Sequence, residues 1–249
     1  MAQKIKFNLR KDFKEQTRLF RRLTVSLRAK LIKLFKRYRL KLGREYRKLE
    51  SIPDDFFNSF TDDLNKIMSR HYRVCIEEQD VRMRKVRFKQ EEPLEDDIQE
   101  YIRVLGLGQV TLITNSTRVK VLQVLRKGLE DGKSIRDISK DLEKSVAFNS
   151  ARATRIARTE THSAMSYGSH KIAGNLGLNS PLKKWMPSGD DRVRDWHREM
   201  SPKPAIPIDD DFIVRGQPMS YAGDPRGGAL NVINCRCFIA YYDAEDEIT

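Results

Sequence analysis

Cys235-Arg236-Cys237 together with His197 is the set of side chains in this sequence whose types suit a metal. Two thiolates one residue apart and an imidazole would supply three soft ligands to Zn²⁺, with Asp191, Asp195 or Asp224 as a fourth. The spacing is a weaker signature than paired C-x-x-C knuckles, and it admits a second reading. If Cys237 runs into a strand, both thiols point to one face, which suits joint burial with His197 as a hydrogen-bond partner as well as joint ligation. A disulfide is the least favoured use, because a bridge across one residue closes a strained loop.

A second constellation, Arg158, Glu160, Asp191, Arg194 and His197, has the composition of a metal-independent ribonuclease site. There one group takes a proton, another returns it, and arginine steadies the charge building on phosphorus. Glu160, Arg194 and His197 would carry that chemistry. The simpler alternative is that Glu160 and Asp191 pair with Arg158 and Arg194 to fix a helix against a turn. No Gly-rich phosphate loop, nucleophile motif or paired-carboxylate motif accompanies the set, so a non-enzymatic protein is the expectation.

The helix carrying Arg158 and Glu160 opens at Ser150 and closes at Gly174 and Gly177, and its alanines at 153, 157, 164 and 173 permit close backbone approach. Short apolar pieces at 182–186, 212–216 and 237–242 then read as strands of one short antiparallel sheet, with a turn or short helix at 190–197 and a loop at 221–225. Trp185 and Trp196 read as core or interface anchors. Upstream, Pro53 followed by Asp54 and Asp55 starts a helix running towards Val86, with a break over residues 90–97 around Pro93. Further helices are expected at 94–105, 116–131 and 134–144, the last opened by the Ser-x-x-acid pattern of Ser134 to Asp137. The fold class is α+β, with a mainly helical N-terminal half and a small C-terminal α+β domain. The organisation expected is a basic helical arm at 1–50, a helical region at 51–115 and a domain at 116–249.

Charge separates the arm from the rest. Of the 249 residues, the first 50 hold 18 Lys and Arg against four acids, while the whole chain is only +13, so the remainder is near neutral. Leu19, Leu23, Leu27, Leu31, Leu34, Tyr38 and Leu42 share one helical stripe, and the spacing predicts a single helix over residues 9–49. Its other faces carry Arg10, Lys11, Lys14, Arg18, Arg21 and Arg22, then Arg28, Lys30, Lys33, Lys36, Arg37 and Arg39. Such a helix suits nucleic-acid phosphates, an anionic membrane surface or an acidic groove on a partner protein. It also suits simple packing of the leucines beneath a solvated charged face.

The longest apolar run, 237–242, is far too short to span a bilayer. The opening MAQKIKFNLRKDFKEQ is charged throughout, so no secretory signal is expected, and three cysteines point to a reducing compartment rather than a disulfide scaffold.

Six segments occur in order: IARTET at 156–161, KKW at 183–185, DDRVRDWH at 190–197, FIVRG at 212–216, GDP at 223–225 and NCRC at 234–237. Together they make residues 118–242 resemble the phage head morphogenesis family, the Mu F-like minor head proteins. Ser201-Pro202 departs from the glycine turn that members often carry there. The resemblance marks Arg158, Glu160, Trp185, Asp191, Arg194, His197, Asp224, Asn234, Cys235 and Cys237 as motif positions. It implies a tailed-phage structural protein that acts in head assembly with portal, capsid or scaffold proteins and packaged DNA. It further implies a place in the capsid interior after assembly in the host cytoplasm, with neither a membrane nor a small-molecule substrate as partner. DNA would then be the polyanion for the arm, held by its backbone without sequence readout. No cofactor is implied beyond the Zn²⁺ that the thiols and His197 could hold.

Overall fold

A computed structural model gives the leucine stripe as one element: after a two-residue strand β1 (Lys6–Phe7), helix α1 runs Leu9–Leu49. Its 41 residues correspond to about 60 Å of helix. The structure describes residues 6–85 and 94–249, so residues 90–93 of the break expected at 90–97 lie outside the described residues, while 94–97 are helical. Helix α2 (Phe56–Arg84) follows the Pro53 turn.

Helix α3 (Leu94–Glu100) passes through a π-helical turn (Tyr101–Gly106) directly into α4 (Leu107–Glu130). Residues 106–115, read from the sequence as a connection between two helices, are therefore helical. Gly106 adopts ordinary helical angles, Gly108 faces open space, and the buried Val110, Ile113 and Thr117 give the segment an inward face. Helix α5 (Ile135–Lys144) starts where its cap predicts, with the Ser134 hydroxyl accepting from the Asp137 backbone N–H. Helix α6 is Ser150–Gly174.

The remainder alternates short strands and turns: β2 (Pro181–Met186), α7 (Asp195–Arg198), β3 (Ile206–Pro207), β4 (Phe212–Val214), β5 (Gln217–Met219), α8 (Gly228–Val232), β6 (Phe238–Asp243) and β7 (Glu247–Ile248). The main sheet is antiparallel in the order β3-β2-β6, with Trp185 opposite Ile239 and Met186 opposite Phe238. Strand β4, expected in that sheet, pairs instead with β5. Arg215 and Gly216 both take positive φ (52° and 74°), the requirement of the two-residue turn that folds a hairpin back on itself. Strands β1 and β7 form a separate parallel pair.

The chain divides into two compact units, one comprising residues up to Thr24, from Tyr72 to Tyr101 and from Arg158 onward, the other residues 25–71 and 102–157. The second is helical. Leu27, Leu31 and Leu42 are fully buried there, and the Phe35 ring meets Phe60 and Phe148. Its one deeply placed charge, Arg152, donates to Thr117 Oγ1, Ser116 Oγ and the carbonyls of Ala147 and Ile113, and burial lowers its pKa to about 10. In the first unit Phe13 and Phe20 of α1 pack edge-on against Phe238 of β6, and Gln16 donates to the Ile239 carbonyl.

Candidate metal centre

Asn234 ends the turn after α8 with φ 58°, a conformation that asparagine tolerates better than most residues. Its N–H donates to Thr159 Oγ1 on α6 at 3.1 Å, which fixes where the next residues leave the turn. Alternation then sends Cys235 and Cys237 inward and Arg236 the other way. Arg236 forks onto both oxygens of Asp190 at 2.5 and 2.9 Å, so the middle residue of C-R-C clamps the 190–197 segment. That segment turns into α7, which presents His197. His197 Nδ1 lies 3.6 Å from Cys235 Sγ and 3.5 Å from Cys237 Sγ, and the three ligating atoms lie within 4.8 Å of one another. All three residues are buried.

The cluster is walled by aromatic rings and closed at one side by a cavity. Trp185 stands edge-on to the His197 ring at 5.2 Å. Hydrogen bonding from Cys237 holds the Cys235 thiol well below its ordinary value, and the same bond together with burial pushes Cys237 up. The cavity, about 10 Å³ and lined by Ser188, Arg194, His197, Asn234 and both cysteines, has the size of one water.

None of the carboxylates read from the sequence as a fourth ligand joins this cluster. Asp191 is exposed, and Asp195 faces solvent beside Arg198. Asp224 accepts from the backbone N–H groups of Ser220 and Arg226 and from the Arg226 guanidinium, pinning the 220–227 loop. The Gly223 before it has φ 90°, and a Cβ there would lie 2.6 Å from His162 Nδ1, so the GDP motif needs its glycine for close approach to α6.

The ribonuclease-like constellation is also taken apart. Glu160 is buried and accepts from the Tyr72 hydroxyl at 2.7 Å, and burial raises its pKa to about 7 against the pull of that hydrogen bond. Arg194 donates to the Ile233 carbonyl. Arg158 and Asp191 form no ion pair among the described residues, so the expected Glu and Asp pairing with Arg158 and Arg194 does not occur.

Three contacts escaped the sequence. His162 donates from Nε2 to the Cys237 carbonyl at 2.5 Å, since that oxygen can only accept. Asn231 accepts from the Trp196 indole and donates to the Gly227 and Val214 carbonyls, tying α7 to the β4 hairpin. Asp190, rather than its neighbour Asp191, holds Arg236. A buried asparagine inside the apolar run ALNVI was the one signal that could have marked Asn231.

Residues 119–240 match the family model described as Phage Mu protein F like protein. The chain carries a Mu F-like domain. Over 115 residues it is 35% identical to the NAD(+)--arginine ADP-ribosyltransferase EFV of Enterococcus faecalis, covering 44% of this chain and 23% of that protein. Over 132 residues it is 29% identical to the uncharacterized protein YqbB of Bacillus subtilis, covering 50% and 42% respectively. The chain thus spans less than half the length of either relative. No solved structure matches. The His197, Cys235 and Cys237 cluster, the Asp224 loop and the whole of α6 fall inside the Mu F-like domain.

Most of the cationic positions of α1 face solvent. Arg10, Lys11, Lys14, Arg18 and Arg21 in the first unit, and Lys30, Lys33 and Lys36 in the second, are exposed and have no acidic partner among the described residues. Arg22 pairs with Glu78, Arg37 with Asp63, and Arg28 donates to Thr154, while Arg39 is half-buried. No helix among the described residues is long and apolar enough to cross a membrane.

Proposed function

We propose that this chain is a minor head protein of a tailed phage, acting in head assembly beside the portal and touching packaged DNA through α1. The observation that carries this reading is the combination of a Mu F-like domain with eight exposed, unpaired cations on one helix. Unpaired like charges along a helix repel one another, and a polyanion relieves that cost. Phe13, Phe20, Phe35 and Tyr38 are held in ring contacts within the units, so they are not free to stack on bases. Contact is therefore with the duplex backbone, without sequence readout.

A structural rather than catalytic role is supported by the fate of the candidate acid–base groups: Glu160 is tied to Tyr72, Arg194 to a carbonyl and His197 to two thiols, and none hydrogen-bonds another. The transferase named among the relatives is more than four times the matched length, so its activity is not carried to this chain.

The test is a salt series of duplex binding by the full chain and two triple variants, Lys14→Gln/Arg18→Gln/Arg21→Gln and Lys30→Gln/Lys33→Gln/Lys36→Gln. Affinity indifferent to sequence should fall steeply with salt, and removing one phosphate-neutralising cation should flatten the log–log slope by about 0.9. Weak binding by the full chain at low salt, or slopes unchanged in both variants, would refute the DNA interaction.

A further inference from the structure

We infer that His197, Cys235 and Cys237 form a site for one zinc ion, or a metal of like softness, built into the Mu F-like domain. The inference is independent of the assembly role proposed above. A tetrahedral zinc with Zn–S about 2.3 Å and Zn–N about 2.1 Å has N···S edges of about 3.6 Å. The two edges here are 3.6 and 3.5 Å. A hydrogen-bonded thiol and imidazole need only one such contact, whereas here one nitrogen faces two sulfurs at equal range.

The donor set selects the metal. Two sulfurs and an imidazole with no carboxylate suit zinc and exclude the hard cations magnesium and calcium, which require oxygen. The three ligands are also held independently of any metal. Arg236 on Asp190 fixes the loop between the cysteines, Asn234 on Thr159 fixes its approach, the His162 bond to the Cys237 carbonyl fixes its exit, and the Trp185 ring fixes the imidazole. A preformed site of this kind spends little ordering on binding.

The fourth position is the cavity beside the cluster. It has room for one water, and the Ser188 hydroxyl that lines it is buried with no hydrogen-bond partner. A water on the metal would give that hydroxyl its partner. Entry of the ion displaces the thiol protons to solvent, leaving two thiolates whose charge balances the divalent cation. The ion then joins α7 to the residues that lead into β6.

The full chain, purified under reducing conditions without a metal-affinity tag, should carry about one zinc per molecule by elemental analysis. A Cys75→Ser control should keep that zinc, because Cys75 is buried elsewhere on α2, while Cys235→Ser and His197→Ala should lose it. Should those variants fail to fold, the wild-type chain stripped by chelator provides the second arm. Titrated with Co²⁺, it should develop thiolate-to-cobalt charge transfer and the intense visible bands of a tetrahedral ion, saturating at about one equivalent. Cysteine-independent metal content, a cobalt spectrum without thiolate charge transfer, or a Cys235–Cys237 disulfide in the freshly purified chain would each overturn the site.

Discussion

In the helical unit, α1 buries Leu27, Leu31 and Leu42 on one face and sets the Phe35 and Tyr38 rings against Phe56, Phe60 and Phe148. In the unit that holds most of the Mu F-like domain, Lys183, Asp224, Asn231 and His162 lie equally deep, and each is tied to a specific partner. The contrast separates two ways of fixing a structure. Apolar contact is non-directional and tracks volume, so related shapes can exchange. A buried polar group demands its own partner at its own angle, and a substitute of equal size that offers the wrong donor leaves two groups unsatisfied.

The largest effect that sharpens this contrast is expected at Leu31. Leu31→Ala empties a fully buried site and should cost about 4 kcal/mol in urea unfolding, whereas Leu31→Met keeps the volume and should cost less than about 1.5 kcal/mol. Equal losses for the two variants would show that shape, not volume, governs the helical unit.

Glu160 tests the polar unit from the opposite side, because its burial works against the fold above neutral pH. Its folded pKa, about 7, is raised above the ordinary 4.5, so the folded state binds the proton more tightly than the unfolded chain. The associated stability is complete below about 4.5 and lost as pH rises through 7. Glu160→Gln keeps a carbonyl acceptor for Tyr72 without the charge. The variant should match the wild type at acid pH and exceed it at pH 8 by up to about 3 kcal/mol. A wild-type stability that does not fall relative to the variant between these two conditions would show that the buried carboxylate ionises without cost.

Asp224→Asn changes almost no volume yet should cost about 2 kcal/mol, because the new amide nitrogen must face a donor, either a backbone N–H or Arg226. Rescue to wild-type stability in this variant would place the 220–227 loop in the same volume-governed class as Leu31.

The same division explains what the sequence disclosed. The stripe from Leu19 to Leu42 is periodic, so α1 could be read to its ends, and the Ser134 cap marked α5 because a local hydrogen bond fixes it. The hairpin of β4 and β5 was missed because Arg215 takes a positive φ that its residue type does not advertise, and the helix through residue 115 was missed because glycines 106 and 108 resemble a turn. At the centre, residue types alone brought His197, Cys235 and Cys237 forward. What holds them, Arg236 on Asp190 and His162 on the Cys237 carbonyl, spans 46 and 75 residues, distances at which no local pattern operates.

The smallest stability effect is expected on the exposed face of α1, and there the comparison concerns function. Lys33→Gln and Lys36→Gln remove charges that touch no acid, so each should change unfolding free energy by less than about 0.5 kcal/mol. Deleting residues 1–50 is not an equivalent change, since it also takes Phe20 from Phe238 and Phe35 from Phe60. Loss of DNA binding in such a truncation would report disrupted packing. Neutralisation isolates the electrostatic term: unchanged urea midpoints with a flatter salt slope would assign the lysines to phosphate binding. A marked drop in stability would instead show that their aliphatic stems cover the leucine face beneath.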